Sequence, residues 1–214
     1  PELTDLDLSN QASLEAQIAA LSDDIAYDAH DIDDGLRSEI LTMDALTEVG
    51  LIAKVLGDVT REAPGLEPIR RNHEIVRRLL TTMIEDVIGE TVRRIARAGV
   101  ASADDVAGHS GPLVAFSAEM AASEKALKTV LYRELYANAD VLQAREKAGQ
   151  VVADLFEVFA NDPALLPESW RDAADGDDRR LRRTCDYIAG MTDRFALREH
   201  ARLVGGTPKL GLSA

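Results

Sequence analysis

The sequence has few aromatic residues, a single cysteine and no long apolar run. Aromatic residues make up 4% of the 214 residues, and no alternating run of β-branched residues of strand length stands out, so a sheet is not expected. The lone Cys185 excludes a disulfide within the chain and is predicted to lie in a buried core. Because no stretch approaches the roughly 20 apolar residues of a membrane span and no signal sequence is recognised, we expect a cytoplasmic protein without membrane contact.

Basic residues are also scarce relative to acidic ones. The chain has 24 Lys and Arg residues against 38 Asp and Glu residues, which gives a formal net charge of −14. Because this charge repels phosphate groups, we expect no strong general affinity for nucleic acid or for anionic lipid. A ligand that carries phosphate must therefore meet a local cationic site.

Apolar residues are abundant and recur at helical spacing, which predicts an all-α fold. Hydrophobic residues make up 46% of the chain, enough for a folded core. Gly99 is expected to end the longest helix, and Gly190, placed inside the last helix, indicates close helix packing. The predicted helices cover residues 13–30, 43–62, 66–98, 118–138, 140–161 and 179–203, with a short acidic loop or helix over residues 31–41.

The start of the chain suggests that it is part of something longer. The first residue is Pro1 rather than Met, and the residues after it read like the inside of a domain. We therefore expect a fragment or a processed chain. Its apolar helix faces would then lack their partner, which favours self-association, so a homo-oligomer is expected.

The densest group of acidic and aromatic residues lies between residues 22 and 35. Residues four apart share a face of a helix, so Asp23, Tyr27 and Asp31 form one polar column, with Asp24 and Asp28 beside it. Two carboxylates and a phenol suit a divalent cation, a phosphate oxygen and a sugar hydroxyl group. An acidic, solvated helix end is the alternative, although stacked like charges cost roughly 0.2–0.5 kcal/mol per pair. From the residues alone, both interpretations stay open.

A second candidate pair lies in the middle of the chain. Lys128 and Tyr136 are eight residues apart and are predicted to share one helix face. They offer a cation for phosphate and a ring that stacks on a sugar or base. Packing of Tyr132 against Tyr136 is an equally good interpretation of the two tyrosines.

Two separated segments carry a resemblance to a known family. The first comprises residues 13–18 (Ser-Leu-Glu-Ala-Gln-Ile), residues 23–27 (Asp-Asp-Ile-Ala-Tyr) and residues 30–36 (His-Asp-Ile-Asp-Asp-Gly-Leu). The second is residues 186–196 (Asp-Tyr-Ile-Ala-Gly-Met-Thr-Asp-Arg-Phe-Ala). In this order they are similar to the bacterial dGTPase-like proteins, the deoxynucleoside triphosphate (dNTP) triphosphohydrolases of the HD superfamily. The chain resembles the C-terminal, all-helical part of that family.

The resemblance implies a reaction and a set of contacts. The family hydrolyses a dNTP to a deoxynucleoside and tripolyphosphate with a divalent metal, Mg²⁺ or Mn²⁺. By comparison, Asp23 is the last ligand of the metal, Tyr27 touches the triphosphate and Asp31 the deoxyribose 3′-hydroxyl group. Tyr136 is a nucleotide contact by the same comparison, whereas the role of Lys128 as a cation for phosphate is predicted from the helix spacing alone.

Three metal ligands of the family, a His and a His-Asp pair, are missing from this sequence. The adjacent His30 and Asp31 do not replace the pair, because neighbouring helical residues point about 100° apart. His73, His109 and His200 are expected to have structural or surface roles. The catalytic residues are therefore expected in an upstream segment, and this chain alone is expected to be inactive and to lack the metal.

The resemblance also suggests how the chain is divided into domains, and it leaves two alternative functions open. It places residues 1–42 at the end of the HD catalytic domain, residues 43–204 in the family's helical C-terminal domain, and residues 205–214 in a flexible tail. A non-catalytic helical module for nucleotide binding, regulation or oligomerisation remains an alternative because the metal ligands are incomplete. A different HD phosphohydrolase is a third reading, against which the segment at residues 186–196 argues.

Overall fold

The computed structural model describes residues 10–171 and 176–206, which form helices and loops without any strand. The prediction of an all-α fold is confirmed. A turn of π-helix, Tyr132–Tyr136, follows the sixth α-helix, and two 3₁₀ turns, Pro163–Leu165 and Glu168–Trp170, follow the seventh. The α-helices are α1 (Leu14–Arg37), α2 (Met43–Leu46), α3 (Gly50–Glu62), α4 (Pro68–Ala98), α5 (Ala103–Ala107), α6 (Ala118–Leu131), α7 (Ala139–Asn161), α8 (Asp177–Ala189) and α9 (Asp193–Leu203).

The chain divides into two compact units between Ala137 and Asn138. No break falls near residue 42, since α1 packs against α4 and α6 within the first unit. The boundary predicted at residue 42 came from the resemblance to the family and not from the packing of the chain. The compact units do not test it, so it stays a prediction. Of the predicted flexible tail, residues 207–214 lie outside the described residues.

The first unit is built around a core shared by α1, α3, α4 and α6. Burial of each large side chain stabilises the fold by about 1.5–3 kcal/mol. Inside α1, Gly35 allows the helix to approach Leu41 so closely that any β-carbon would overlap the Leu41 side chain. The most deeply buried core residues include Ile32, Leu46, Ile52, Val59, Ile75, Leu79, Met83, Leu127 and Leu131.

The second unit packs α7 against α8 and α9. Its core includes Leu155, Phe159 and Ile188, and the Tyr187 ring meets the edge of Phe159 at a centroid distance of 5.4 Å. His200, only 2% exposed, is tied to Asp154 of α7 through its Nε2 atom at 2.8 Å. This bond links α9 to α7 inside the second unit.

Helix ends follow the expected capping chemistry, but three of the predicted helices differ from the structure. The side chain of Ser13 accepts a hydrogen bond from the Ala16 amide and starts α1. This helix continues to Arg37 instead of ending at His30, because the apolar spacing extends through buried Ile32. Gly99 ends α4 in the left-handed conformation (φ 65°), as predicted.

The helix predicted over residues 43–62 is divided into α2 and α3. Between them, Val49 adopts an extended backbone (φ −85°, ψ 112°) and buries its own side chain. Helical propensity does not predict this break, because the extended backbone that interrupts the helix also buries the Val49 side chain.

The last predicted helix is likewise two helices, and its glycine has a different role from the one predicted. Gly190 ends α8, and Thr192 starts α9 by accepting from the Phe195 amide. A β-carbon on Gly190 would meet only carbonyl oxygens of α8 itself, at 3.5 Å and 3.6 Å, so the prediction of close helix packing is wrong. Cys185 is exposed rather than buried, because it neighbours the inward-facing Thr184 on the helix.

None of the helices in the described ranges combines the length and the apolar character that a membrane span requires.

Candidate functional site

The first unit contains a cavity of about 260 Å³ between α1 and the helix formed by α6 and its π-turn. We call it the α1–α6 cavity. It brings together four of the five site residues predicted from the sequence, which are Tyr27, Asp31, Lys128 and Tyr136. Its other lining residues are Asp24, Asp28, Leu131 and Tyr132.

Helical periodicity explains why these side chains converge. On α1, the buried residues Ile25, Ala29 and Ile32 anchor one face in the core. The acidic residues flank that face and so reach the edge of the core. On the opposite wall, Leu127 and Leu131 are buried in the core. Lys128, Tyr132 and Tyr136 follow at intervals of four residues, share one helix face and line the cavity.

A hydrogen bond between Tyr136 and Asp31 closes one end of the cavity. The Tyr136 hydroxyl group donates to Asp31 Oδ2. Burial raises the pKa of the Tyr136 phenol, and the bond to the Asp31 carboxylate raises it further, so Tyr136 stays a neutral donor at physiological pH. The bond fixes the orientation of the carboxylate and leaves its Oδ1 atom outside this pair.

Lys128 is the single cation among the lining residues. It forms an ion pair with Glu124, and its Nζ atom lies 3.7 Å from Asp24 Oδ1. The bond to Glu124 is the main reason that the pKa of Lys128 is raised, so the side chain remains charged. One cation among three lining carboxylates cannot neutralise a triphosphate, and the cavity therefore suits the uncharged sugar and base of a nucleotide better.

Asp28 lies at the inner side of the cavity and is only 3% exposed. Burial raises the pKa of its carboxyl group to about 6, and the charges of Glu124, Asp24 and Asp31 act in the same direction, whereas Lys128 lowers it. This residue belonged to the acidic group in the sequence but was not assigned a role. Its position three residues after Ile25, on the apolar face of α1, is the signal that could have identified it.

Asp23, the predicted metal ligand, is exposed and does not line the cavity. Within the described ranges no hydrogen bond or ion pair engages it, so its carboxylate is available to an external group. The same ranges contain no group of three His, Cys, Asp or Glu side chains able to hold a metal ion. The described residues therefore do not fit a complete metal site, and Asp23 could contribute only one ligand to one.

The other histidines have local contacts instead of a shared site. His73 lies 3.7 Å from Asp33, and the His109 ring contacts the backbone of Gly111 at 2.7 Å. His200 belongs to the core of the second unit. His30, next to Asp31, is exposed and does not line the cavity.

Comparison with known proteins places these features in a family. Residues 114–202 match the phosphohydrolase-associated domain. A deoxyguanosinetriphosphate triphosphohydrolase-like protein of Bradyrhizobium is 50% identical over 206 residues, which are 96% of this chain and 53% of the relative. Relatives with the same description occur in Mesorhizobium japonicum, with 46% identity over 98% of this chain and 52% of the relative, and in Brucella ovis, with 49% identity over 96% and 52%.

The chain thus spans about half the length of the curated relatives that it matches. The match includes both the helix that carries the acidic column and the helices of the second unit, in one continuous alignment over nearly the whole chain. Over nearly its whole length, the chain is thus homologous to one part of the deoxyguanosinetriphosphate triphosphohydrolase-like proteins.

Proposed function

We propose that the protein represented by this chain hydrolyses deoxynucleoside triphosphates such as dGTP to a deoxynucleoside and tripolyphosphate. In this proposal the α1–α6 cavity receives the nucleoside part of the substrate. The observation that carries it is the hydrogen bond between Tyr136 and Asp31, which joins two segments of the chain at a cavity of suitable size. The names of the relatives support a phosphohydrolase and suggest the dNTP substrate.

The lining residues suit the sugar and base by their chemistry. Asp31 carries a carboxylate oriented by Tyr136, which can accept a hydrogen bond from a sugar hydroxyl group. Tyr27, which lines the cavity and is 63% exposed, offers a flat ring and a hydroxyl group. Lys128 supplies the positive charge nearest to the phosphates.

The reaction also requires a divalent metal, Mg²⁺ or Mn²⁺, to which Asp23 would contribute one carboxylate ligand. When bound, such a metal polarises the phosphorus and activates water. Because the described residues do not complete the site, we assign the remaining ligands and the general acid or base to a segment that this chain does not include. The 214-residue chain alone is then inactive and retains metal poorly.

The test is a side-by-side assay of the 214-residue chain and the longer gene product. Tripolyphosphate release from dGTP is measured with Mg²⁺ and with Mn²⁺. We expect turnover by the longer product alone and its loss in the Asp23→Ala variant. Asp34→Asn, an exposed carboxylate on the same helix that does not line the cavity, serves as the matched control and should retain activity.

A non-catalytic nucleotide-binding module is the second candidate, and the incomplete set of metal ligands in the described ranges favours it. It predicts no tripolyphosphate release from either protein, together with a higher melting temperature when dGTP is added. Hydrolysis by the longer product would exclude this candidate.

A further inference from the structure

Asp28 differs from the other carboxyl groups that line the α1–α6 cavity, because it has no partner. Asp24 faces Lys128, and Asp31 accepts the hydrogen bond from Tyr136. No hydrogen bond or ion pair within the described residues engages Asp28, and its Oδ2 atom is buried. Buried polar groups without a partner are rare in native proteins, so this one requires an explanation.

The charged groups that face Asp28 offer it no free donor. The charged groups that face it are Lys128 and Glu124 from α6 and Asp24 and Asp31 from α1. The ammonium group of Lys128 is engaged by Glu124 and lies near Asp24. The hydroxyl group of Tyr136, which lines the same cavity, already donates to Asp31. Since no described residue donates to Asp28, its carboxylate is left for a donor that a ligand brings into the cavity.

We propose that Asp28 is a specificity-determining residue that accepts a hydrogen bond from the nucleoside part of the ligand. The inference rests on the proposed function, which assigns the nucleoside to this cavity. The nucleoside part of a dNTP carries two kinds of donor, the 3′-hydroxyl group of the sugar and the N–H groups of the base. A ligand without the correct donor leaves a buried carboxylate unpaired, and such mismatches lower affinity strongly.

The direct test is the pKa of Asp28, measured by carboxyl ¹³C NMR on the 214-residue chain with and without saturating deoxyguanosine. This nucleoside carries no phosphate that titrates near pH 6. A donor bound to the carboxylate stabilises the ionised form and so lowers the pKa. A tenfold preference of the ligand for the ionised form corresponds to a decrease of about one unit. We expect a decrease of at least that size, and an unchanged or higher pKa would overturn the inference.

Two analogues identify the donor. 2′,3′-Dideoxyguanosine lacks the 3′-hydroxyl group, and purine 2′-deoxyriboside lacks the N–H donors of guanine. The pKa decrease should disappear with one of them and persist with the other. A decrease that persists with both would contradict a bond from either donor.

Variants give an independent readout. Asp28→Asn is expected to weaken deoxyguanosine binding about tenfold, because a hydrogen bond to a charged acceptor is lost, whereas Asp34→Asn should leave binding unchanged. If deoxyguanosine shifts no resonance of the cavity, the proposed function and this inference both fail. If cavity resonances shift while the pKa of Asp28 stays constant, only the inference about Asp28 fails.

Discussion

The hydroxyl group of Tyr136 donates a hydrogen bond to the carboxylate of Asp31, a residue 105 positions earlier in the chain. The bond connects the π-turn after α6 with α1 and forms one end of the α1–α6 cavity. It therefore contributes both to the packing of the first unit and to the geometry of the candidate site.

Removal of this bond has a measurable cost in stability. Tyr136→Phe deletes only the hydroxyl group, and we expect the free energy of unfolding of the first unit to fall by about 1 kcal/mol. Urea denaturation followed by circular dichroism measures it. Tyr132→Phe is the control, because Tyr132 is 70% exposed and no described hydrogen bond engages its hydroxyl group; it should change stability by less than about 0.5 kcal/mol. Equal effects of the two variants would contradict a role for the Asp31 bond.

The buried carboxyl group of Asp28 makes stability depend on pH with a defined sign. Burial raises its pKa to about 6 in the folded chain, so the native protein loses stability as pH rises from about 4, where the unfolded chain ionises, to about 6. Asp28→Asn does not titrate. Relative to the wild type, the free energy of unfolding of the variant should therefore rise between pH 4 and pH 6, by roughly 2–3 kcal/mol at most. Above pH 6 the difference should be constant. Melting temperatures of both proteins from pH 4 to pH 8 test this, and a difference that does not vary with pH would refute it.

In the second unit, the bond from His200 to Asp154 carries the opposite pH dependence. The bond to His200, and after it the bond to Gln150, lowers the pKa of Asp154. A lowered pKa stabilises the fold above about pH 4, and this contribution is lost as pH falls through the folded value.

Asp154→Ala leaves the buried His200 ring without its acceptor and should lower the urea midpoint of the second unit at pH 7. Fluorescence of Trp170, which is partly buried against the core of the second unit, reports unfolding of that unit in urea. The difference in stability between Asp154→Ala and the wild type should become smaller below about pH 4. Glu157→Ala, an exposed position on α7, provides the matched control. A cost that is the same at pH 7 and pH 3 would rule out this linkage.

Gly35 inside α1 and Gly190 at the end of α8 are predicted to respond differently to replacement by alanine. At Gly35, a β-carbon would overlap Leu41, and Gly35→Ala should destabilise the first unit by about 1–3 kcal/mol. At Gly190, the backbone is right-handed and a β-carbon makes ordinary contacts, so Gly190→Ala should stabilise the second unit by about 0.4–1 kcal/mol. Thermal unfolding measures both, and a strong destabilisation by Gly190→Ala would restore the close-packing interpretation.

The all-α class and most helices could be predicted from the sequence, since apolar spacing reports which face of a helix is buried. The breaks at Val49 and Gly190 could not, because each depends on tertiary burial or on capping that competes with helix propensity. Cys185 shows the same limit, since residue type indicates an average burial and not the face on which the residue lies.

Most residues of the candidate site could be predicted from the sequence, whereas the contacts between them could not. Asp31 and Tyr136 were each assigned from local spacing or resemblance, but their mutual hydrogen bond depends on the packing of α1 against α6. The burial of Asp28 follows from the same packing. Conversely, Asp23 lies outside the cavity, and its assignment as a metal ligand remains a proposal.

The most direct test of the account uses the longer gene product with dGTP and Mn²⁺. It measures which phosphate species is released and the KM for dGTP. If the α1–α6 cavity binds the sugar through Asp31, the wild type releases one tripolyphosphate per deoxyguanosine, and Asp31→Asn raises the KM for dGTP about tenfold or more through the weakened hydrogen bond. Stepwise release of orthophosphate, or an Asp31→Asn variant with an unchanged KM, would contradict the account.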